Sequence, residues 1–135
     1  MDKIFLDANV LFSAAYRAQT GLHQLWQMED VELITSEYAA EEARRNLFGE
    51  TSRKRLRFLL QSVQVLTLFP QATSPLEIEL PEKDRPIILA SIRAGATHLL
   101  TGDKQHFGAY FGRRIHGVLI LPPSEYFRRH TTSAK

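Results

Sequence analysis

Three aspartates lie where predicted strands and helices meet. Asp7 closes the apolar run KIFLD, Asp84 precedes the periodic segment RPIILASIRA, and Asp103 follows the short run THLLTG. Taken singly, each is explained by a helix cap or a turn, since aspartate favours both positions. Gathered in one place, the carboxylates would instead hold a hard divalent cation, because Mg²⁺ and Mn²⁺ prefer oxygen ligands. The choice depends on the elements that position them.

Short apolar runs alternate with segments of helical periodicity along most of the chain. The runs cover 3–6, 31–35, 65–69, 98–101 and 118–121. Strands that alternate with helices pair in a parallel sheet through right-handed crossovers. We therefore predict an α/β fold, a three-layer α/β/α sandwich with a parallel sheet of about five strands. In such a sheet the functional site lies at the carboxyl ends of the strands.

Polar capping residues mark the predicted helix starts. We predict helices from Ser36 to about Phe48, from Thr51 or Ser52 to about Ser62, from Asp84 to just before Gly95, and from Ser124 onward, with a short helical turn opened by Asp103. The stretch 71–81, which contains Pro75 and Pro81, is the predicted loop.

Segment lengths predict that Asp84 and Asp103 face each other across one end of the sheet. Ten helical residues at a rise of about 1.5 Å cover roughly 15 Å. A strand of four or five residues at about 3.3 Å each returns nearly the same distance. Because Asp7 ends the first strand, its side chain emerges at the same carboxyl edge. The three aspartates are therefore expected to converge.

The segment EYAAEEARRNL carries two glutamates on different faces of one predicted helix. At about 100° per residue, Ala39 and Ala43 lie on an apolar stripe, Glu41 lies opposite it and Glu42 lies at its border. We expect Glu41 in solvent. Glu42 points inward, where it either pairs with a cation such as Arg45 or joins the aspartates.

Four carboxylates at close range raise one another's proton affinity unless a cation compensates their charge. A divalent cation there would polarise a phosphoryl oxygen and lower the pKa of an attacking water. The predicted reaction class is therefore phosphodiester cleavage.

Composition narrows the class of protein. The 135 residues are 44% hydrophobic and 24% charged, which suits one domain spanning residues 1–135. The chain has no cysteine, which excludes disulfides, thiolate metal sites and cysteine catalysis and fits a reducing cytoplasm. We expect no signal peptide, and the apolar runs are far shorter than the roughly twenty residues of a membrane helix. A soluble cytoplasmic protein is the expectation.

Positive charge is concentrated more than the net value of +2 indicates. The stretch SRKRLR at 52–57 places four basic residues in one predicted helix. It forms either a solvated helix face or a surface that attracts phosphate.

Four segments, in this order, resemble the PIN-domain nuclease family, in particular the VapC-type toxins of toxin-antitoxin pairs. They are FLDANVLFSA, TSEYAAEEARRNL, KDRPIILASIRAGATHLLTGD and KQHFG. The resemblance implies a Rossmann-like fold and a Mg²⁺- or Mn²⁺-dependent ribonuclease. The family's acidic cluster corresponds here to Asp7, Glu42, Asp84 and Asp103. Asn9 and Thr101 stand where small polar residues commonly support that cluster.

The resemblance also implies partners. Members cleave RNA, are often homodimers, and are commonly silenced by an antitoxin whose tail reaches the active-site groove. This sequence departs from the pattern at Gln105, where many members carry another acid. One protein-held metal, with a second recruited by substrate, is therefore the safer expectation.

His106 stands three residues after Asp103. A histidine in a surface turn is more often structural than a general base, and we expect the structural role. The other histidines, at 23, 98, 116 and 130, have no spacing typical of a metal site. Leu22 and Trp26 stand at helical spacing and are expected in the core.

The sequence therefore predicts a metal-dependent endoribonuclease that leaves a 5′-phosphate and a 3′-hydroxyl. Asp7, Asp84 and Asp103 would hold the metal directly or through water, and Glu42 would orient or deprotonate water. One alternative is a phosphatase that forms an aspartyl-phosphate at Asp7, although Asn9 replaces its usual second aspartate. The other is an inactive PIN-like module that binds RNA or a protein through the same groove.

Overall fold

One sheet of six strands organises the part of the chain that the computed structural model describes, residues 1–67 and 78–133. The strands are β1 (Asp2–Leu6), β2 (Val31–Ser36), β3 (Gln64–Leu66), β4 (His98–Leu100), β5 (Arg114–Ile115) and β6 (Val118–Leu121). They lie in the order β3-β2-β1-β4-β6-β5. All pairings are parallel except that of β5 with β6.

Seven α-helices flank the sheet within the described ranges. They are α1 (Ala8–Tyr16), α2 (Gln24–Gln27), α3 (Glu37–Asn46), α4 (Glu50–Leu60), α5 (Arg85–Arg93), α6 (Lys104–Phe107) and α7 (Pro123–Ser133). Short 3₁₀ turns cover Gly21–His23, Glu82–Asp84 and Gly108–Tyr110. The predicted three-layer α/β/α architecture is confirmed.

The central strands are apolar along nearly their whole length, as strands covered on both faces must be. In β1, Ile4, Phe5 and Leu6 are fully buried, and all four residues of β6 are buried. Leu22 and Trp26 pack partly buried against this core, as predicted, and Trp26 Nε1 donates to Leu59 O at 2.9 Å.

The antiparallel strand β5 was not predicted. It has two residues and joins β6 through His116 and Gly117, whose φ angles are 49° and 85°. A two-residue hairpin with a type I′ turn requires positive φ at both central positions, and glycine adopts such angles freely. A His-Gly pair after a two-residue strand is too short a pattern to reveal the hairpin in advance.

Two of the predicted helix starts need correction. Ser36 caps α3 as predicted, its Oγ accepting from Ala39 N at 3.1 Å. The start at Thr51 or Ser52 is wrong, because α4 begins at Glu50 after Gly49 and the Ser52 hydroxyl donates to Phe48 O. The last helix begins at Pro123, one residue before the predicted Ser124.

The remaining boundaries agree with the sequence patterns. Gly95 follows α5 with φ of 69°, as a helix terminator does, while α3 and α4 each end two residues before the predicted limit. Predicted strand residues 68 and 69 and most of the predicted loop, residues 71–77, lie outside the described residues. Among the described residues, no helix has the length and apolar character needed to cross a membrane.

Two arginines of the basic run in α4 donate hydrogen bonds to backbone carbonyls of neighbouring elements. Arg53 Nε donates to Leu47 O at 3.1 Å, beyond the end of α3, and Arg55 Nη1 donates to Ala15 O at 2.8 Å in the last turn of α1. Cationic side chains near helix carboxyl ends satisfy carbonyls that lack intrahelical partners. Lys54, between them, is exposed.

We expect Arg55→Gln to lower the free energy of unfolding by about 1.5–3 kcal/mol, because a partly buried, charge-assisted hydrogen bond is lost. Lys54→Gln, the matched control, should change it by less than about 0.5 kcal/mol. Urea denaturation measures both. Equal effects of the two substitutions would show that the Arg55 contact contributes no stability.

Candidate active site

Asp7 lies at the carboxyl end of β1, buried with 4% of its surface exposed. Its Oδ1 accepts from Ala8 N at 2.7 Å, which makes it the N-cap of α1. Its Oδ2 accepts from the Thr101 hydroxyl at 2.8 Å and from Asn9 Nδ2 at 3.1 Å. The cap expected as one explanation of Asp7 is therefore real, and the same carboxylate also joins side chains from two elements.

Asn9 and Thr101 connect Asp7 with the loop that carries Asp103. Asn9 Oδ1 accepts from Gly102 N at 2.8 Å, and Thr101 Oγ1 accepts from Asp103 N at 3.1 Å. Asn9 Nδ2 also donates to Thr101 Oγ1 at 3.2 Å. These bonds hold the backbone on both sides of the β4 exit, so the position of Asp103 depends on Asp7.

Asp84 and Asp103 meet at this edge, as the segment lengths predicted, and His106 lies between them. His106 Nδ1 lies 2.9 Å from Asp84 Oδ2 and 2.8 Å from Asp103 Oδ2. Asp84 stands at the N-cap position of α5 without capping it, so the cap predicted there is wrong as a side-chain contact. Asp103 does cap α6, its Oδ1 accepting from His106 N at 3.1 Å.

These three side chains fit a divalent cation. One ligand atom from each of Asp84, Asp103 and His106 lies within 4.8 Å of the other two. Asp84 Oδ2 and His106 Nδ1 are buried, and their contacts of 2.8 and 2.9 Å at this site lack the alignment of regular hydrogen bonds among the described residues, so each atom keeps capacity for a cation. Adjacent ligands of an octahedral ion with bonds of about 2.1 Å lie about 3.0 Å apart. The observed separations of 2.8 and 2.9 Å are close to that spacing.

Asp7 is not a member of that three-residue group within the described ranges. Both of its carboxylate oxygens accept hydrogen bonds. Asp7 nevertheless lies close enough to Asp84 that the charge of Asp84 helps to raise the pKa of Asp7. The group of converging ligand atoms thus contains Asp84 and Asp103 from the predicted metal set, and His106 in addition.

Glu42 and Glu41 point in the opposite directions that helical periodicity predicted. Glu42 is half-buried and lines a cavity of about 270 Å³ with side chains of α1 and α3, among them Asn9 and Asn46. Glu41 is exposed, and Arg44 Nε donates to its Oε2 at 2.9 Å. Ala8, the residue after Asp7, also lines this cavity, and the charge of Glu42 raises the pKa of Asp7.

Burial disfavours the ionised forms of the carboxylates at this site. It raises the pKa of Asp7 from 3.8 to about 6, against the lowering effect of the Thr101 and Ala8 hydrogen bonds, and the charges of Glu42 and Asp84 add to the rise. Burial also raises the pKa of Asp84, while the His106 imidazole lowers it and Asp103 raises it. A cation among these groups would favour their ionised forms.

Two further side chains lie at the site: Tyr38, which no sequence pattern indicated, and His106, for which the sequence predicted a structural role. The Tyr38 hydroxyl donates to Lys83 O at 2.6 Å and so ties α3, which carries Glu42, to the turn that carries Asp84. Nothing in the spacing of Tyr38 indicates this contact. His106 stands three residues after Asp103, and this spacing places both side chains on one side of a helical turn. The same spacing is also typical of a structural histidine, so it did not identify His106 as a ligand.

Solved structures share this architecture. A chain of VapBC2 from Rickettsia felis, solved bound to a DNA fragment from its promoter, aligns with a TM-score of 0.67 at 13% identity, over 89% of this chain and 98% of its own. Mycobacterium tuberculosis VapC20, described as a Sarcin-Ricin loop cleaving toxin, aligns with a TM-score of 0.53 at 15% identity. The alignment covers 78% of this chain and 94% of the VapC20 chain. A chain of FitAB bound to an IR36 DNA fragment aligns with a TM-score of 0.52 at 19% identity. The alignment covers 89% of this chain and 94% of the FitAB chain.

The chain has a VapC-like PIN-domain fold. No family model and no curated protein sequence matches it. In this PIN-like fold the acidic side chains collect at the carboxyl ends of β1 and β4, the edge where parallel sheets place their sites.

The raised pKa of Asp7 gives stability a pH dependence that Asp7→Asn removes. The folded protein binds this proton more tightly than the unfolded chain, so the contribution is complete below the unfolded pKa of 3.8 and is lost as pH rises through about 6. Relative to Asp7→Asn, the wild type should lose roughly 2.5 kcal/mol of unfolding free energy between pH 4 and pH 7.5 in EDTA.

Urea denaturation at several pH values measures this difference. The surface variant Glu29→Gln should keep the wild-type dependence on pH. A constant difference between wild type and Asp7→Asn across that pH range would contradict the raised pKa.

Proposed function

We propose that this chain is a metal-dependent endoribonuclease. The observation that carries the proposal is the convergence of Asp84, Asp103 and His106 at the carboxyl edge, with buried ligand atoms that lack hydrogen-bond partners among the described residues. The adjoining carboxylates of Asp7 and Glu42 add negative charge that a cation would offset. The shared fold of VapC20, described as a Sarcin-Ricin loop cleaving toxin, supports RNA as the substrate class.

Asp84 and Asp103 would hold Mg²⁺ or Mn²⁺, and Asp7 would contact the ion directly or through water. The bound ion would polarise a phosphoryl oxygen and lower the pKa of the attacking water. Asn9 and Thr101 keep Asp7 oriented through the hydrogen bonds at its Oδ2. Their part is to hold the ligand set in place, since neither offers a charge.

Glu42 is the proposed residue that orients or deprotonates the attacking water. It faces the cavity beside Asp7 from α3, and Tyr38 fixes the position of that helix against the turn bearing Asp84. The water oxygen forms a bond to phosphorus, the bond from phosphorus to the 3′-oxygen breaks, and the 3′-oxygen takes up a proton. The products carry a 5′-phosphate and a 3′-hydroxyl.

Basic side chains close to the aspartates would bind the RNA backbone. Lys83 directly precedes Asp84 and Lys104 directly follows Asp103; both are exposed, as is Arg45 on α3. Arg53 and Arg55 bind backbone carbonyls and are less available for phosphates. RNA affinity should therefore fall as salt concentration rises.

The same proposal extends to partners and setting. Residues 1–135 would act as one nuclease domain in the cytoplasm, as a homodimer, and would be the toxin of a toxin-antitoxin pair. Support for an antitoxin comes from neighbours solved as VapBC2 and FitAB assemblies. An aspartyl-phosphate phosphatase has less support, because both Asp7 oxygens already accept hydrogen bonds and the side chain is buried.

Asp103→Asn should abolish RNA cleavage supported by Mg²⁺ or Mn²⁺ and leave the fold intact, because asparagine still caps α6 but loses the charge that binds the ion. Glu42→Gln should lower kcat by about 10²–10⁴-fold, the range for loss of a general base. Gel-resolved cleavage of RNA by purified protein, with end-group mapping of the products, measures both.

Matched controls lie in the same chain. Asp30→Asn makes the same change at an exposed surface position, and Glu41→Gln makes it on the outward face of α3; both should retain activity. Full activity of Asp103→Asn would refute the proposed nuclease site. If the wild type binds RNA without cleaving it and without a response to metal, the inactive binding module is favoured instead. A phosphoryl group trapped on Asp7 would favour the phosphatase.

A further inference from the structure

We propose that the His106 imidazole is a direct ligand of the cation in this site and that it gives the site a preference for Mn²⁺ over Mg²⁺. The inference rests on the proposed function, because it concerns the same cation. It adds a nitrogen donor to a ligand set that the sequence predicts to be oxygen alone.

The position of Nδ1 carries the argument. It is buried and lies 2.8 and 2.9 Å from oxygens of Asp103 and Asp84, but neither contact has the alignment of a regular hydrogen bond, and Nδ1 has no other partner among the described residues. Asp84 Oδ2, which faces it, is likewise buried and without a hydrogen bond in those ranges. Two carboxylate oxygens and an imidazole nitrogen therefore surround one point, and each has capacity left for a shared cation.

Local structure holds the imidazole there. His106 N donates to Asp103 Oδ1 at 3.1 Å, and Phe107 N donates to Asp103 O at 3.0 Å, which fixes the first turn of α6 on the aspartate. The next side chain, Phe107, is fully buried in the core. A surface turn would let a histidine swing into solvent, whereas this turn is anchored at both ends and directs Nδ1 at the carboxylates.

Donor chemistry then sets the choice of ion. With its proton on Nε2, the imidazole presents a lone pair at Nδ1. Mg²⁺ is bound in proteins mainly through oxygen and water, whereas imidazole suits transition-metal ions. Replacing one oxygen or water by Nδ1 therefore favours Mn²⁺ relative to Mg²⁺.

The competing arrangement is an ion pair with no metal contact, in which a protonated His106 neutralises Asp84 and Asp103. Both arrangements bring Nδ1 close to the carboxylates. They differ in whether a nitrogen nucleus is bonded to the bound ion, which is a spectroscopic property and independent of activity.

The test uses the full chain loaded with Mn²⁺ and measured by pulsed electron paramagnetic resonance. Wild type should show the ¹⁴N coupling of a directly bonded imidazole, and histidine labelled with ¹⁵N should change that coupling. His106→Asn should lose it, while His116→Asn, at the exposed hairpin turn on the opposite end of the sheet, should keep it. In titrations, the ratio of the Mg²⁺ to the Mn²⁺ dissociation constant should fall by at least about tenfold in His106→Asn.

Two results would overturn the inference and are distinguishable from each other. Mn²⁺ that binds the wild type without nitrogen coupling, and equally well in His106→Asn, would place the ion on the carboxylates alone and leave the proposed nuclease intact. Failure of Mn²⁺ to bind the wild type, or binding unchanged in Asp103→Asn, would remove the proposed function as well.

Discussion

The hydrogen bond from the Thr101 hydroxyl to the Asp7 carboxylate joins the ends of two adjacent parallel strands, β1 and β4. The strand register brings these residues side by side, since Leu6 pairs with Leu100 and Asp7 N donates to Leu100 O at 3.1 Å. Asp7 in turn starts α1, and Thr101 receives the amide of Asp103. Helix start, strand end and acidic loop are thus held by one buried contact.

That contact also gives the site its electrostatic character. A carboxylate that caps a helix is stabilised by backbone amides, but at 4% exposure it loses most of its hydration. Burial dominates, and the pKa of Asp7 rises to about 6 with Glu42 and Asp84 nearby. Structures tolerate such unfavourable charge mainly at functional sites, where a ligand offsets it. The same arrangement that costs stability in the free protein therefore favours binding of a cation.

Much of this architecture was predictable from the sequence, because it depends on patterns that are local. The alternation of apolar runs and helical segments predicted the parallel strands, and helix and strand lengths placed Asp84 and Asp103 at one edge. The two faces of α3 followed from its period, which separated Glu42 from Glu41. Position relative to a strand end is enough to predict such features, since parallel strands share one carboxyl edge.

The features that escaped prediction depend on contacts between distant segments. The sequence places Arg53 and Arg55 in a charged helix segment, but in the structure they donate hydrogen bonds to carbonyls at the ends of α3 and α1. His106 was predicted to be a structural turn residue, and its approach to Asp84 depends on the turn Glu82–Asp84 and the start of α6 lying close together. The hairpin of β5 depends on two positive φ angles.

Anomalous diffraction from crystals of the protein soaked in Mn²⁺ tests the central claim most directly, because it locates the ion without reference to activity. The account predicts one strong Mn²⁺ peak bonded at about 2.1 Å to carboxylate oxygens of Asp84 and Asp103. A peak elsewhere on the molecule, with none at this edge under saturating Mn²⁺, would contradict it.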